Sequence, residues 1–201
     1  MNVAVLISGR GSNLKAILEK EKQGKLGNAV VSLVVSNKPD AKGLEIAKSY
    51  GKKIFVLPSH KSQTRETYDN QLAEILEKNN IDLVVLAGFM RILSPFFVRK
   101  FSNKIINIHP SLLPSFPGIN AQKQALDYGA KVTGCTVHFV DEKVDHGPII
   151  LQGIVTVEDD DTEETLAKKI LEKEHILLPR AIKLFSEKKL IVEGRKVRIV
   201  N

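Results

Sequence analysis

The chain has 201 residues, enough for one sizeable domain with its own core, and its 43% apolar and 26% charged residues are ordinary for a globular protein. No apolar run approaches the ~18–20 residues that a membrane-spanning helix needs, and a single Cys135 excludes an internal disulfide. A net charge of +7 and a pI of about 9.4 would suit a nucleic-acid partner, but the lysines are scattered, aromatics make up 5% and Trp is absent, which leaves no base-stacking platform and favours small anionic substrates.

The opening MNVAVLISGRGSN has neither a basic start nor a small-residue cleavage pattern, so a cytoplasmic chain is expected, with no membrane or nucleic-acid partner. VAVLI (3–7) is a short apolar run that ends in a Gly-rich turn and leads into a helical pattern with Leu14, Ile17 and Leu18. AVVSLVVS (29–36) and KIFVL (53–57) read as further strands, with a short helix near 43–50 between them. Residues 64–78 put Tyr68, Leu72, Ile75 and Leu76 on one helical face; DLVVLAG (82–88) and KIINI (104–108) are the next strands. Continuous apolar strands alternating with helices predict an α/β, Rossmann-like, mostly parallel sheet with helices on both faces.

After residue 118 the pattern changes. A helix around 119–129 precedes two long strands, VTGCTVHFV (132–140) and PIILQGIVTV (148–157), which are expected to pair antiparallel. A last helix starts near Asp161, with Glu164 as a capping-box partner, and Pro179 should kink or interrupt it. The tail LIVEGRKVRIV suggests a hairpin turning at Glu193–Gly194. There is no repeat or linker, so a single domain over 1–201 is expected, with a phosphate-binding half (1–100) and a catalytic half (101–201).

ISGRGSNL (7–14) joins a strand to a helix. Gly9 and Gly11 match two glycines of the dinucleotide fingerprint, but Leu14 stands at the third. What remains is a helix start whose free N–H groups would cradle a phosphate through Gly11, Ser12 and Asn13. The alternative is a plain turn capped by Ser12 or Asn13.

NIHPSLLPSFPG (107–118) places Asn107 and His109 two apart at a strand end, where both side chains face one side above the carboxyl edge of the sheet. The prolines at 110, 114 and 117 stiffen the loop that follows. An uncharged N–H donor beside a protonatable ring resembles an oxyanion hole with a built-in acid. Asp145, in DEKVDHGP between the two long strands, would orient His109 if that loop folded over the sheet edge. Each of these residues alone also reads as structural. His138 reads as structural, with a place near the site as its rival; His146 reads as exposed, Cys135 as a small buried side chain, and His60 and His175 carry no role. No C-x-x-C, H-E-x-x-H or clustered histidines call for a metal.

GRGSNL, LAGFMRILSP, NIHPSLLPSFPG, GCTVHFVDEKVDHGPII and the late KEH resemble, in order and spacing, the folate-dependent formyltransferases, over nearly the whole chain. The resemblance is to the branch acting on a phosphate-bearing glycinamide ribonucleotide. It implies 10-formyltetrahydrofolate as co-substrate and Asn107, His109 and Asp145 as catalytic residues. It also implies that Gly11, Ser12, Asn13 and Glu174 bind the acceptor. Arg65, Met90, Arg91, Ile92, Leu93, Asn107, Asp141 and Asp145 would bind the folate. Leu171 departs from the polar side chain that relatives often place near the phosphate, which leaves more to backbone N–H groups or to a lysine such as Lys15. The partners implied are small molecules, with the chain either a monomer or a homodimer. A formyltetrahydrofolate hydrolase is the alternative enzyme, and a nucleotide-binding regulatory module the alternative outside enzymes.

Overall fold

The computed structural model describes residues 1–59 and 63–200; His60 lies outside the described residues. The parallel half comprises β1 (Asn2–Ile7), α1 (Ser12–Lys22), β2 (Val30–Ser36), α2 (Gly43–Ser49), β3 (Ile54–Val56), α3 (Arg65–Lys78), β4 (Leu83–Leu86), α4 (Pro95–Lys100) and β5 (Ile105–His109). It is followed by α5 (Ala121–Tyr128), β6 (Val132–Phe139), β7 (Ile149–Thr156), α6 (Glu163–Ser186), β8 (Leu190–Glu193) and β9 (Lys196–Ile199).

The main sheet has the order β3-β2-β1-β4-β5-β6-β7. The first five strands are parallel, β6 is antiparallel to β5, and β7 is antiparallel to β6. The predicted α/β sheet with antiparallel C-terminal strands is therefore what forms. Helices cover both faces, which is why the strands read as unbroken apolar runs. On one face Val3, Val5, Val85, Ile106 and Ile108 pack with Leu14 and Ile17 of α1 and Leu166, Ile170 and Ile182 of α6. On the other, Ala4, Leu6, Val84, Leu86 and Ile105 pack with Tyr68, Leu72 and Leu76 of α3 and Phe97 of α4.

That alternation places the site. Ile106 and Ile108 belong to the α1/α6 face, so Asn107 and His109 stand on the opposite face of β5. In β6, Cys135, Val137 and Phe139 belong to the α1/α6 face, so Thr136 and His138 share the side of Asn107 and His109. The register brings Asn107 opposite His138 and His109 opposite Thr136. Chain order reverses between β1 and β4, and the carboxyl ends of these strands border the crevice where open α/β sheets receive ligands.

Four local expectations need correction. The helix α4 was not expected, because six residues are too few to show a period; Ser94 caps it by accepting from the Phe97 N–H, and Pro95 opens it. Thr162, not Asp161, caps α6, in a capping box with Thr165 rather than Glu164. Pro179 does not interrupt that helix: α6 runs through it from Glu163 to Ser186, with buried Leu178, Ala181 and Ile182 packed in the core where Pro179 offers no N–H. The C-terminal hairpin pairs Glu193 with Lys196, so its turn is Gly194–Arg195, one residue later than expected.

Candidate active site

The turn after β1 is built from backbone. Gly11 caps α1 in the left-handed conformation (φ 78°), with no side-chain cap, so neither Ser12 nor Asn13 is the cap. Only glycine fits there: a Cβ on Gly11 would meet the Gly43 Cα at 2.5 Å, and the Gly43 N–H donates to the Gly9 carbonyl at 3.0 Å. The first helical bond runs from Lys15 N–H to the Gly11 carbonyl. The amides of Ser12, Asn13 and Leu14 are thus left without intrahelical partners, and no acid occupies the first turn. Asn13 donates from Nδ2 to Oε2 of Glu174 at 2.7 Å, while its buried Oδ1 has no partner. Glu174 itself lies in the buried stripe of α6 between Ile170 and Leu178; burial pushes its carboxyl up, and the Asn13 bond only partly offsets this.

This turn opens onto a cleft of about 1140 Å³ that extends past Gly88 and Met90 to Ile108 and Pro110, the neighbours of His109. Arg10, Lys38 and Lys168 line it, as does Leu171. Lys15 does not; it stands 3.8 Å from Glu19 on α1, so it is not the cation of this cleft. Ser8 ties the strand ends together. Its N–H donates to the Gly88 carbonyl at 3.1 Å, and its hydroxyl accepts from Met90 N–H at 2.8 Å and donates to Asn37 Oδ1 at 2.6 Å. A smaller cleft of about 370 Å³ holds the Glu21–Lys52 ion pair and none of the site residues.

Beyond β5 the site is built from side chains. The loop between β6 and β7 folds back over the sheet edge, with Gly147 set so closely on the Phe139 carbonyl that a Cβ could not fit. Asp145, in the left-handed region (φ 48°), brings Oδ2 to 3.2 Å from His109 Nδ1 and accepts from Gly118 N–H at 2.8 Å. His109 Nε2 lies 2.9 Å from the Phe116 carbonyl. The Phe116 carbonyl only accepts, so Nε2 carries a hydrogen in that contact, and Nδ1 faces the Asp145 carboxylate. Asn107 Nδ2 lies 3.2 Å from His138 Nε2, and that nitrogen is 3.8 Å from Asp145 Oδ1. The prolines do not hold the 110–118 loop alone. Thr136 donates to the Ser111 carbonyl at 2.7 Å and accepts from Leu113 N–H at 3.0 Å, and Ser111 donates to the Ser115 carbonyl at 2.5 Å. The Leu113–Pro114 bond is cis.

The segment after β4 presents Met90 and Ile92 outward, 71% and 54% exposed, while Leu93 turns into the core. The Arg91 guanidinium lies 3.9 Å from the centroid of the Tyr68 ring, and its buried Nε has no partner among the described residues. Asp69 accepts from Ser94 N–H at 2.5 Å; burial raises its carboxyl, and the Ser94 bonds, Arg91 and Arg65 pull against that. Burial pushes the Tyr68 hydroxyl up to about 12. Arg65 opens α3 and is exposed near Asp69. Asp141, across the crevice, accepts from His146 Nδ1 at 2.6 Å and from Lys143 N–H at 3.0 Å. His146 is exposed, as expected, and Arg195 of the C-terminal hairpin donates to its carbonyl at 2.8 Å and reaches its Nε2 at 3.1 Å.

The structure thus gathers Asn107, His109 and Asp145 in one place and Gly11, Ser12, Asn13 and Glu174 in another, and the cleft lined by the second group reaches Ile108 and Pro110 on either side of His109 in the chain. Sequence reasoning missed the roles of Ser8 and Arg195 and undervalued His138, whose partners come from distant parts of the chain. Among the described residues no group of His, Cys, Asp or Glu is placed to hold a metal ion, and no helix is long and apolar enough to cross a membrane.

Residues 1–182 match the family model described as formyl transferase. This chain belongs to the formyl transferase family. Within it the chain is a member of the phosphoribosylglycinamide formyltransferase group. It is 44% identical to the phosphoribosylglycinamide formyltransferase of Escherichia coli (strain K12) over 190 residues, 94% of this chain and 89% of that protein. It is 49% identical over 181 residues to the trifunctional purine biosynthetic protein adenosine-3 of Drosophila melanogaster, covering 90% of this chain but 13% of that protein's length. A solved structure of glycinamide ribonucleotide transformylase 1 from Symbiobacterium toebii superposes with a TM-score of 0.97 at 48% identity, covering 100% of this chain and 94% of that one.

Proposed function

We propose that this chain transfers the formyl group of 10-formyltetrahydrofolate to the amine of glycinamide ribonucleotide, a step of purine biosynthesis. The observation that carries the reading is the 3.2 Å approach of Asp145 to His109 beside Asn107, on the strand whose Ile108 and following Pro110 line the cleft that begins at the turn of α1. The acceptor's phosphate takes the free amides at Gly11, Ser12 and Asn13. Glu174, paired with Asn13, meets the acceptor's own donors, and the unpartnered Asn13 Oδ1 is free to accept another.

The exposed apolar surface of Met90 and Ile92 suits a flat ring, with backbone from residues 90–93 on one side and residues 141–145 on the other. Arg65, at the start of α3, takes the more distant part of the folate. When bound, the folate supplies an activated formyl carbon. Asn107 and protonated His109 donate to the formyl oxygen as it gains negative charge. The acceptor amine needs no strong base, since a free α-amino group has a pKa of about 7.7–8.0 and is partly neutral at pH 7. The Asp145 carboxylate takes the amine's proton, His109 gives its own proton to the departing nitrogen, and the proton held by Asp145 then restores the imidazolium.

The test is to incubate the pure protein with both substrates and look for formylglycinamide ribonucleotide. Its formation supports the reading; folded protein that makes none defeats it. Formate released without any acceptor would support the hydrolase instead.

A further inference from the structure

We infer that His138 is a positioning residue for this reaction: its neutral ring, with the hydrogen on Nδ1, accepts from the Asn107 carboxamide and so fixes which end of that amide faces the formyl oxygen. The inference rests on the formyl-transfer reading above and adds a residue outside the Asn107, His109 and Asp145 set.

A carboxamide has two ends of nearly equal shape and opposite function. Only the NH2 end can stabilise an oxyanion; the carbonyl end would repel it. Something must hold Asn107 the right way round, and among the described residues its side chain has one hydrogen-bond partner, Nε2 of His138 at 3.2 Å. The other ring nitrogen of His138 settles the matter. Nδ1 lies 2.7 Å from the Phe139 carbonyl, which only accepts, so Nδ1 carries the hydrogen. Burial then disfavours a second proton: His138 is 2% exposed, and desolvation lowers its imidazole below the ordinary value despite the opposing Phe139 hydrogen bond and the charges of Asp145 and Asp141, while His109 adds to the lowering. Nε2 is left as a lone pair that demands a donor. The NH2 end of Asn107 meets that demand with one hydrogen and keeps the second for the substrate. The register pins the pair, since Asn107 and His138 are directly opposed across β5 and β6.

Two measurements test this. In nitrogen-15 NMR of the histidine-labelled protein at pH 7, His138 should show the neutral ring protonated at Nδ1; an Nε2–H ring or an imidazolium overturns the inference, whatever the activity. In kinetics, His138→Phe should lower kcat by about 10- to 100-fold with KM within about threefold, because a misdirected amide costs the transition state more than binding. His138→Gln, which keeps an acceptor near the Nε2 position, should recover most of that loss. In an Asn107→Ala background, His138→Phe should cost less than about threefold, since its role is exercised through the missing amide. Costs that multiply independently, or a Gln variant as impaired as Phe, would overturn the inference. If wild-type protein formylates nothing, the functional reading fails instead.

Discussion

The two ends of the cleft are made in different ways. At the α1 end, a run of residues 9–13 builds the proposed phosphate site from backbone: a left-handed glycine, a helix start and amides with no other partner among the described residues. At the β5 end, Asn107, His109, His138 and Asp145 come from two strands and a returning loop, and each side chain is oriented by another. A backbone site depends on conformation and tolerates change in its side chains. A side-chain site fails when any one group is lost or turned.

Substitution should expose that difference most sharply at the β5 end. Asn107→Ala or Asp145→Ala should lower turnover at least about 100-fold with the far-ultraviolet circular dichroism unchanged. Near-normal turnover in either would mean that the cluster is structural. At the α1 end, Gly11→Ala should destabilise the fold by about 1–3 kcal/mol in denaturant titration, because the left-handed backbone and the Gly43 contact both resist a Cβ. It should also raise KM for the phosphate-bearing acceptor. Ser12→Ala, by contrast, should shift that KM by less than about threefold, as expected where the amide and not the hydroxyl binds. An equal loss in both would erase the distinction.

The cations of the cleft give a smaller effect. Lys168→Ala should raise KM for the acceptor by about three- to tenfold, whereas Lys15→Ala, outside the cleft, should leave it within about twofold. Glu174 gives the most subtle test, one of pH. Burial raises its carboxyl above 4.5, so the unfolded chain gives up this proton before the folded one does. Its contribution to stability is present below 4.5 and is lost as pH rises towards the folded value. The melting temperature of Glu174→Gln should therefore gain on wild type as pH is raised from 4 to 7; a constant difference would mean that Glu174 is not desolvated.

Much of the backbone end was legible because its information is local. ISGRGSNL announces a strand, a glycine turn and a helix; the cap is Gly11 and not Ser12 or Asn13, because the close approach of Gly43 is a tertiary contact that the stretch does not contain. Asn107 and His109 were legible for the same reason: period-two alternation at a strand end puts both on one face. Asp145 was named, but its arrival at His109 required a loop to fold back, and the Gly147 contact that allows this is not visible in composition. Glu174 carried a readable signal, an acid in the apolar stripe of α6, though its partner Asn13 lies at the far end of the chain. His138 and Arg195 had no local signal of function, because their partners are chosen by strand pairing and by where the last hairpin lands.

The sequence by itself determined the α/β class, the faces of the helices, the glycine turn and the strand-end pair, since periodicity and turn chemistry act between near neighbours. Only the tertiary structure decided which side chains meet. The β5–β6 register sets Asn107 against His138, and a slip of one residue would bring Val137 or Phe139 there instead, with no acceptor to offer the amide. Contacts of that kind depend on the packing of the whole sheet, and no short stretch of chain contains them.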